Sequence, residues 1–310
     1  MSYPEIAALR ALIEQVERNG PQAAALYAYE AEYHATPDGI SVVVPVHNGA
    51  AEMAELMISL ANQSLERSRF EVIFALNGCT DDSRTIVDRF AATSGVDTIV
   101  LESDFAGVAR ARNEALKLVR FRHGIFVDHD DHLSRTYLEE CLELSDYRSV
   151  IVSNIIKIED DVLSEDYAQR VIAEGFLTSH VHGPDDITLC YRAYTLNAIK
   201  TAPTYMLRRV AYNEHLAHSE DVDYWRDIFH MFAPITVKSP TRRDTYYRRQ
   251  ISHSLSRKLT DFYDKAKPRF HILDRIEREA GTYPCDAPQR KFDTQLKGLI
   301  LSTLANLGRA

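Results

Sequence analysis

The chain has 310 residues, room for one large or two modest domains, and 45% of them are apolar, enough for a real core. Its 45 acidic against 36 basic residues give a net charge of −9, which excludes a nucleic-acid footprint and general electrostatic attraction to anionic membranes. Cys79, Cys141, Cys190 and Cys285 lie far apart with no CxxC pair, which speaks against a zinc ribbon or disulfide framework and for reduced thiols. No basic–apolar–small leader opens the sequence, and no window approaches the ~18 consecutive apolar residues of a membrane span. A cytoplasmic location is expected, with peripheral membrane contact and self-association left open.

In chain order, Ile6, Leu9, Leu12, Ile13 and Val16 recur at helical spacing, Asn19-Gly20-Pro21 interrupts them, and residues 22–34 resume a helical pattern. Thr36-Pro37-Asp38-Gly39 reads as a turn, and the β-branched run from Ile40 to Val46 as a buried strand. Met53, Leu56, Met57, Leu60 and Ala61 form one face of a helix. Phe70 to Leu76 is strand-like, and Thr80-Asp81-Asp82-Ser83 can cap a helix that turns Ile86, Val87 and Phe90 inward. Further strands are expected over 98–101, 124–127 and 149–156, with a helix over 108–119.

Strands thus begin near 40, 70, 97, 124 and 149 with a helix in each gap. That alternation predicts right-handed βαβ units: an α/β, Rossmann-like, mostly parallel sheet with helices on both faces. Ligands in such sheets bind beyond the carboxyl ends of the strands. After residue 160 the pattern weakens. Tyr205-Met206-Leu207 reads as a strand, Phe262, Ala266, Phe270, Ile272 and Leu273 as one amphipathic stretch, and Leu296 to Leu307 as an apolar helix packed on the domain.

Phe126-Val127-Asp128-His129-Asp130-Asp131 carries the strongest chemical signal, because an apolar strand delivers three carboxylates at its end. Asp128 and Asp130 are two apart, so in extended chain they point to one side, where their mutual repulsion invites a cation. Hard divalent ions such as Mg²⁺ or Mn²⁺ take oxygen ligands and share their sphere with substrate phosphates. The plain alternative is helix capping by Asp131 or Ser134. Capping needs one residue and leaves Asp128 and Asp130 unexplained.

Six segments in order then fit one pattern. Val43-Val44-Pro45-Val46-His47-Asn48 is similar to VIIPxYN, Leu76-Asn77-Gly78-Cys79-Thr80-Asp81 to DDGSxD, and Gly107 with Ala111-Arg112-Asn113 to G…ARN. Asp128-His129-Asp130-Asp131 is similar to DxDD, Ser219-Glu220-Asp221-Val222-Asp223-Tyr224-Trp225 to xEDxxFW, and Tyr246-Tyr247-Arg248-Arg249 with His253-Ser254-Leu255-Ser256 to YYR…SxS. Together they make residues 40–256 resemble a family 2 glycosyltransferase of the GT-A fold.

The resemblance implies an inverting enzyme that moves a sugar from a nucleotide diphosphate to an acceptor hydroxyl of a glycan or glycolipid. It places Pro45, His47, Asn48, Asn77 and Arg112 in the nucleotide pocket, Asp128 at the ribose or metal, and Asp130 on a Mn²⁺ or Mg²⁺ ion. His129 would approach the metal or the donor sugar, and Arg248 and His253 would contact the diphosphate or close the loop over it. Asp221 would be the general base, with Glu220 and Trp225 shaping the acceptor side; for Trp225, core packing serves equally. Leu76-Asn77 replaces the family's acidic residue, so a uridine donor leads while guanosine and thymidine stay open.

The expected division is a helical N-terminal extension (1–38), a central domain (39–255) with nucleotide (39–131) and acceptor (132–255) halves, and a helical C-terminal extension (256–310). Two other readings stand beside it: a metal-dependent phosphotransfer or nucleotidyl-transfer enzyme on the same carboxylates, and a nucleotide-sugar-binding module without turnover. The first lacks a GxxxxGK[ST] loop, and the second has no use for a base.

Overall fold

A computed structural model describes residues 21–160, 162–250 and 262–307. The expected helix through Ile6 and Val16 lies outside the described residues. The strands are β1 (Ile40–Val46), β2 (Phe70–Asn77), β3 (Asp97–Ser103), β4 (His123–Phe126), β5 (His132–Leu133), β6 (Ser149–Val152), β7 (Asn154–Glu159), β8 (Val162–Glu165), β9 (Val181–His182), β10 (Lys200–Pro203), β11 (Ile235–Lys238) and β12 (Thr245–Arg249).

Eight strands form one sheet in the order β3-β2-β1-β4-β10-β6-β11-β9. β3, β2, β1 and β4 are parallel, β10 runs against both β4 and β6, β11 is parallel to β6, and β9 is reversed at the edge. Every residue of β1 and β2 is buried, as unbroken apolar strands inside a parallel sheet must be. Pro45 is tolerated in this central strand because pairing with β4 stops at Val43. The chain leaves β1 toward β2 on one side and returns to β4 on the other, which makes the β1/β4 boundary the switch point where a crevice opens beyond the strand ends.

Helices Ala54–Ala61, Ser83–Thr93 and Val108–Leu116 fill the first three crossovers, with Leu56, Met57, Leu60, Val87 and Phe90 turned into the core. One expectation fails here. Tyr205, Met206 and Leu207 belong to the short helix Thr204–Arg209, and the strand is the preceding β10. All three side chains are buried, and a run this short carries no readable period.

A second sheet, β5-β12-β7-β8, stands beside the first. It brings β12 antiparallel to β5, directly after the Asp128–Asp131 turn. Farther along, helices Phe262–Arg278 and Pro288–Leu307 pack together on helix Glu220–Phe232, burying Ala266, Ile272, Phe292, Leu296 and Ile300. Phe270, expected on the inner face, is 54% exposed, because Ile272 and Ile276 occupy the inward stripe instead. Among the described residues no helix is long and apolar enough to cross a membrane.

Candidate active site

Three loops converge past the ends of β1 and β2. Asn77, 4% exposed, donates from Nδ2 to the Val46 carbonyl at 2.7 Å and accepts the Gly107 N–H on Oδ1 at 3.0 Å. Asn48, at φ 49°, accepts the Thr80 N–H at 2.7 Å. Gly78, at φ +62°, passes so near Ala106 that an added Cβ would lie 2.7 Å from its nitrogen. The amides of Asn48 and Asn77 therefore hold backbone together at the strand ends. His47 is exposed and bonds through Nδ1 to the Asn77 carbonyl at 2.7 Å. Pro45 is buried in the strand below. Beside these loops opens a cavity of about 410 Å³ lined by Leu76, Asn77, Ser103, Asp104, Phe105 and Arg110. The Arg110 guanidinium stands 5.9 Å from the centre of the Phe105 ring, which is 68% exposed.

Past β4 come the carboxylates. Asp131 is buried, and neither it nor Ser134 caps the following helix Tyr137–Leu144, whose N-cap Thr136 makes no side-chain cap bond. Asp131 instead accepts the Tyr246 hydroxyl at 2.6 Å and the Arg249 N–H at 2.7 Å. The same Tyr246 oxygen accepts the Asp128 N–H at 3.2 Å. One tyrosine of β12 thus ties both ends of the turn. The buried Asp131 carboxyl is pushed well above the ordinary carboxylate range, by loss of water first and then by Asp130 and Asp128. Asp130 shifts upward for the same reasons, burial and then the Asp128 charge. The His129 ring leans on the loop after β1: a Cβ on Gly49 would lie 2.4 Å from it.

These oxygens suit a divalent cation, which would relieve the like-charge strain on Asp130. Among the described residues no three His, Cys, Asp or Glu side chains gather closely enough to hold an ion alone. Asp128 and Asp130 would therefore hold it together with oxygens from a diphosphate.

Arg112 joins this turn to the next motif. Its side chain, 5% exposed, donates through one nitrogen to Glu220 at 2.8 Å and through another to Asp128 at 3.2 Å. It stands 5.3 Å over Tyr212, which stacks on Tyr224 at 3.8 Å. Glu220 and Asp221 open helix Glu220–Phe232, as a helix N-terminus prefers of acids. Asp221 is half-buried, and burial, then Glu220, push its carboxyl up to about 6 against the pull of Arg112 and Lys200. Sequence reasoning put Arg112 in the nucleotide pocket; here its fork is engaged by two carboxylates.

A further expectation changes. Trp225 is wholly buried, donates to Asn197 Oδ1 at 3.2 Å and meets Tyr194 and Tyr224 edge-on, so its ring packs the core and meets no sugar. Arg248 pairs with the buried Asp166 at 2.5 Å. His253 lies outside the described residues. Sequence reasoning assigned no role to Tyr246 or Lys200. Tyr246 stood within a quoted motif, and Lys200 is a lone charge in an apolar strand. A larger cavity of about 430 Å³, lined by Glu55, His132 and Arg249 among others, contains none of Asp128, Asp130 or Asp221.

The chain is 31% identical over 106 residues to the poly(ribitol-phosphate) beta-N-acetylglucosaminyltransferase TarS of Staphylococcus aureus, a stretch that is 34% of this chain and 18% of that one. It is 30% identical over 95 residues to a poly(ribitol-phosphate) beta-glucosyltransferase of Bacillus spizizenii, 30% of this chain and 15% of the relative. The matched stretches thus span less than a fifth of these two relatives. The crystal structure of S. aureus TarS 1-349 with UDP-GlcNAc superposes with a TM-score of 0.64 at 21% identity, covering 85% of this chain and 71% of that one. The mannosyltransferase PcManGT of Pyrobaculum calidifontis, in complex with GDP-Man and Mn²⁺, gives 0.61 at 17%, covering 92% and 83%. At such identity these likenesses establish the GT-A type α/β fold. The model of "Glycosyl transferase family 2" matches residues 41–216, which is 176 of 310 and includes every strand of the parallel half. On that match this chain belongs to glycosyl transferase family 2.

Proposed function

We propose that the chain transfers a sugar from a nucleotide diphosphate sugar to an acceptor hydroxyl with inversion, and that Asp221 is the general base. The observation that carries this is the Arg112 bridge: one buried guanidinium holds Asp128 of the strand-end turn and Glu220, the neighbour of Asp221, in a single cluster. A carboxylate raised to about 6 beside that cluster is free above that pH and basic enough to take a hydroxyl proton. The acceptor O–H gives its proton to Asp221 as the oxygen bonds the anomeric carbon, and the carbon–phosphate oxygen bond breaks, its electrons leaving with the diphosphate. A Mn²⁺ or Mg²⁺ ion held by Asp128 and Asp130 would supply charge neutralisation to that leaving group.

The cavity beside Phe105 and Arg110 suits the nucleoside base in size and by offering an exposed ring. Uridine leads, since the structures that resemble this fold include one with UDP-GlcNAc, and a guanosine donor is the competing choice given the one with GDP-Man. The names of the relatives favour a polyol-phosphate polymer as acceptor, with glycans and glycolipids in the same chemical class of hydroxyl.

Calorimetric titration of UDP, GDP and TDP with and without Mn²⁺ tests the donor half. One nucleotide should bind in a metal-dependent way, and Asp130→Ala should lose that binding. Asp221→Asn should keep it and lose transfer by about a thousandfold or more. Transfer by Asp221→Asn at the parent rate would end the base assignment.

A further inference from the structure

Lys200, in β10, is 1% exposed, and its ammonium donates to the Ala193 carbonyl at 2.9 Å. It stands 4.5 Å from the centre of the Trp225 ring. Trp225 follows Asp221 by four positions, so the two lie one above the other on one helix face. The ammonium therefore lies against the helix that carries Asp221. A buried ammonium persists only with a counter-charge, and Asp221 is the anion that acts on it.

The groups facing Asp221 come from four directions: Glu220 on its own helix, Arg112 from helix Val108–Leu116, Lys200 from β10, and Tyr212 and His218 from the segment leading into the helix. Both donors that Arg112 turns toward carboxylates are committed to Glu220 and Asp128. Asp221 is the one carboxylate among the described residues whose charge acts on Lys200. Trp225, buried against it, thereby gains a role that its place in the core alone does not explain: its ring face steadies the cation.

We propose that Lys200 is a positioning residue for transfer, its buried ammonium setting the proton affinity of Asp221 so that the base is free at neutral pH. The inference rests on reading Asp221 as the base. Burial pushes Lys200 down to about 7 and Asp221 up to about 6, so both protons move in the pH range where the reaction would run. Removing the cation leaves Asp221 with burial and Glu220, both of which favour its protonated form.

The test is the pH profile of kcat/KM for the full chain and for Lys200→Met and Lys200→Gln, the latter keeping a donor for the Ala193 carbonyl. The expected result is an acid limb moved up by about one pH unit or more, about a fivefold loss at the parent midpoint, with donor KM within about threefold. An acid limb left in place in a folded variant overturns the inference. Should both variants unfold, ¹⁵N NMR titration of the parent decides: the Lys200 ammonium should titrate at least about one unit below the ordinary ~10.4, and an ordinary midpoint overturns it. Asp221→Asn separates the two readings. If it is inactive while the Lys200 variants keep the parent profile, only the Lys200 inference falls; if it transfers normally, the base reading falls first.

Discussion

Arg112 and Tyr246 each hold two backbone or carboxylate groups with one side chain, and each is irreplaceable for that geometric reason. Lysine at position 112 would keep the charge and lose the fork, so Arg112→Lys should serve Glu220 or Asp128 and not both. We expect single-turnover transfer to fall about 10- to 100-fold while the protein stays folded; an unchanged rate would count against the bridge. Tyr246→Phe leaves the buried Asp131 without its hydroxyl, at a cost of about 1–3 kcal/mol. Urea unfolding should register that loss, and Mn²⁺-dependent nucleotide affinity should weaken with it. At this scale the sequence disclosed residue types better than residue tasks. Asn77 closes β2 and Arg112 lies on helix Val108–Leu116, and their hydrogen-bond partners, Gly107 and Glu220, come from distant segments. No local spacing encodes such partners.

Helix Glu220–Phe232 presents Asp221 at one end and is clamped along its length by the C-terminal helices. The fully buried Arg226 donates to Asp293 at 2.8 Å and to Glu279 at 2.8 Å, and Arg275 reaches Asp223 at 2.6 Å and Asp227 at 2.8 Å. Asp293→Ala would leave a buried guanidinium short of its main partner and should cost about 3–5 kcal/mol. Thermal unfolding would measure it, and a variant as stable as the parent would show that Glu279 suffices. Its first turn carries Glu220, Asp221 and Asp223, acids that a helix N-terminus prefers. Its clamp cannot be read from the sequence, because Arg226 and Asp293 are 67 residues apart. The short helix Thr204–Arg209 was misread as a strand for the opposite reason: its apolar run is too brief for periodicity to distinguish the two.

Across the whole molecule, one buried histidine links pH to stability. His123 opens β4 at 1% exposure, shares a 3.1 Å hydrogen bond with Tyr33 of helix Pro21–Ala35, and is pushed down to about 4 by burial. Unfolded, it would titrate near its ordinary 6.5, so between those values the unfolded chain binds the extra proton. The stability it contributes is complete above about 6.5 and is lost as pH falls toward 4, on the order of 3 kcal/mol. Urea unfolding at pH 7.5 and 4.5 should show a steeper acid loss for the parent than for His123→Gln; equal slopes would refute the assignment.

Alternating apolar runs and crossover lengths were enough to place β1 to β4 and the loops at their carboxyl ends, because a parallel sheet demands continuous buried strands at βαβ spacing. The same sequence singled out the carboxylates of Asp128, Asp130 and Asp221 as candidates. Only the tertiary structure decided which side chains became fasteners. Tyr246 had to return from β12 to reach Asp131, and β10 had to run antiparallel beside β4 to bring Lys200 over Trp225, on the helix that carries Asp221. Burial and charge pairing act through space, so the roles they confer cannot be read until distant segments are folded together.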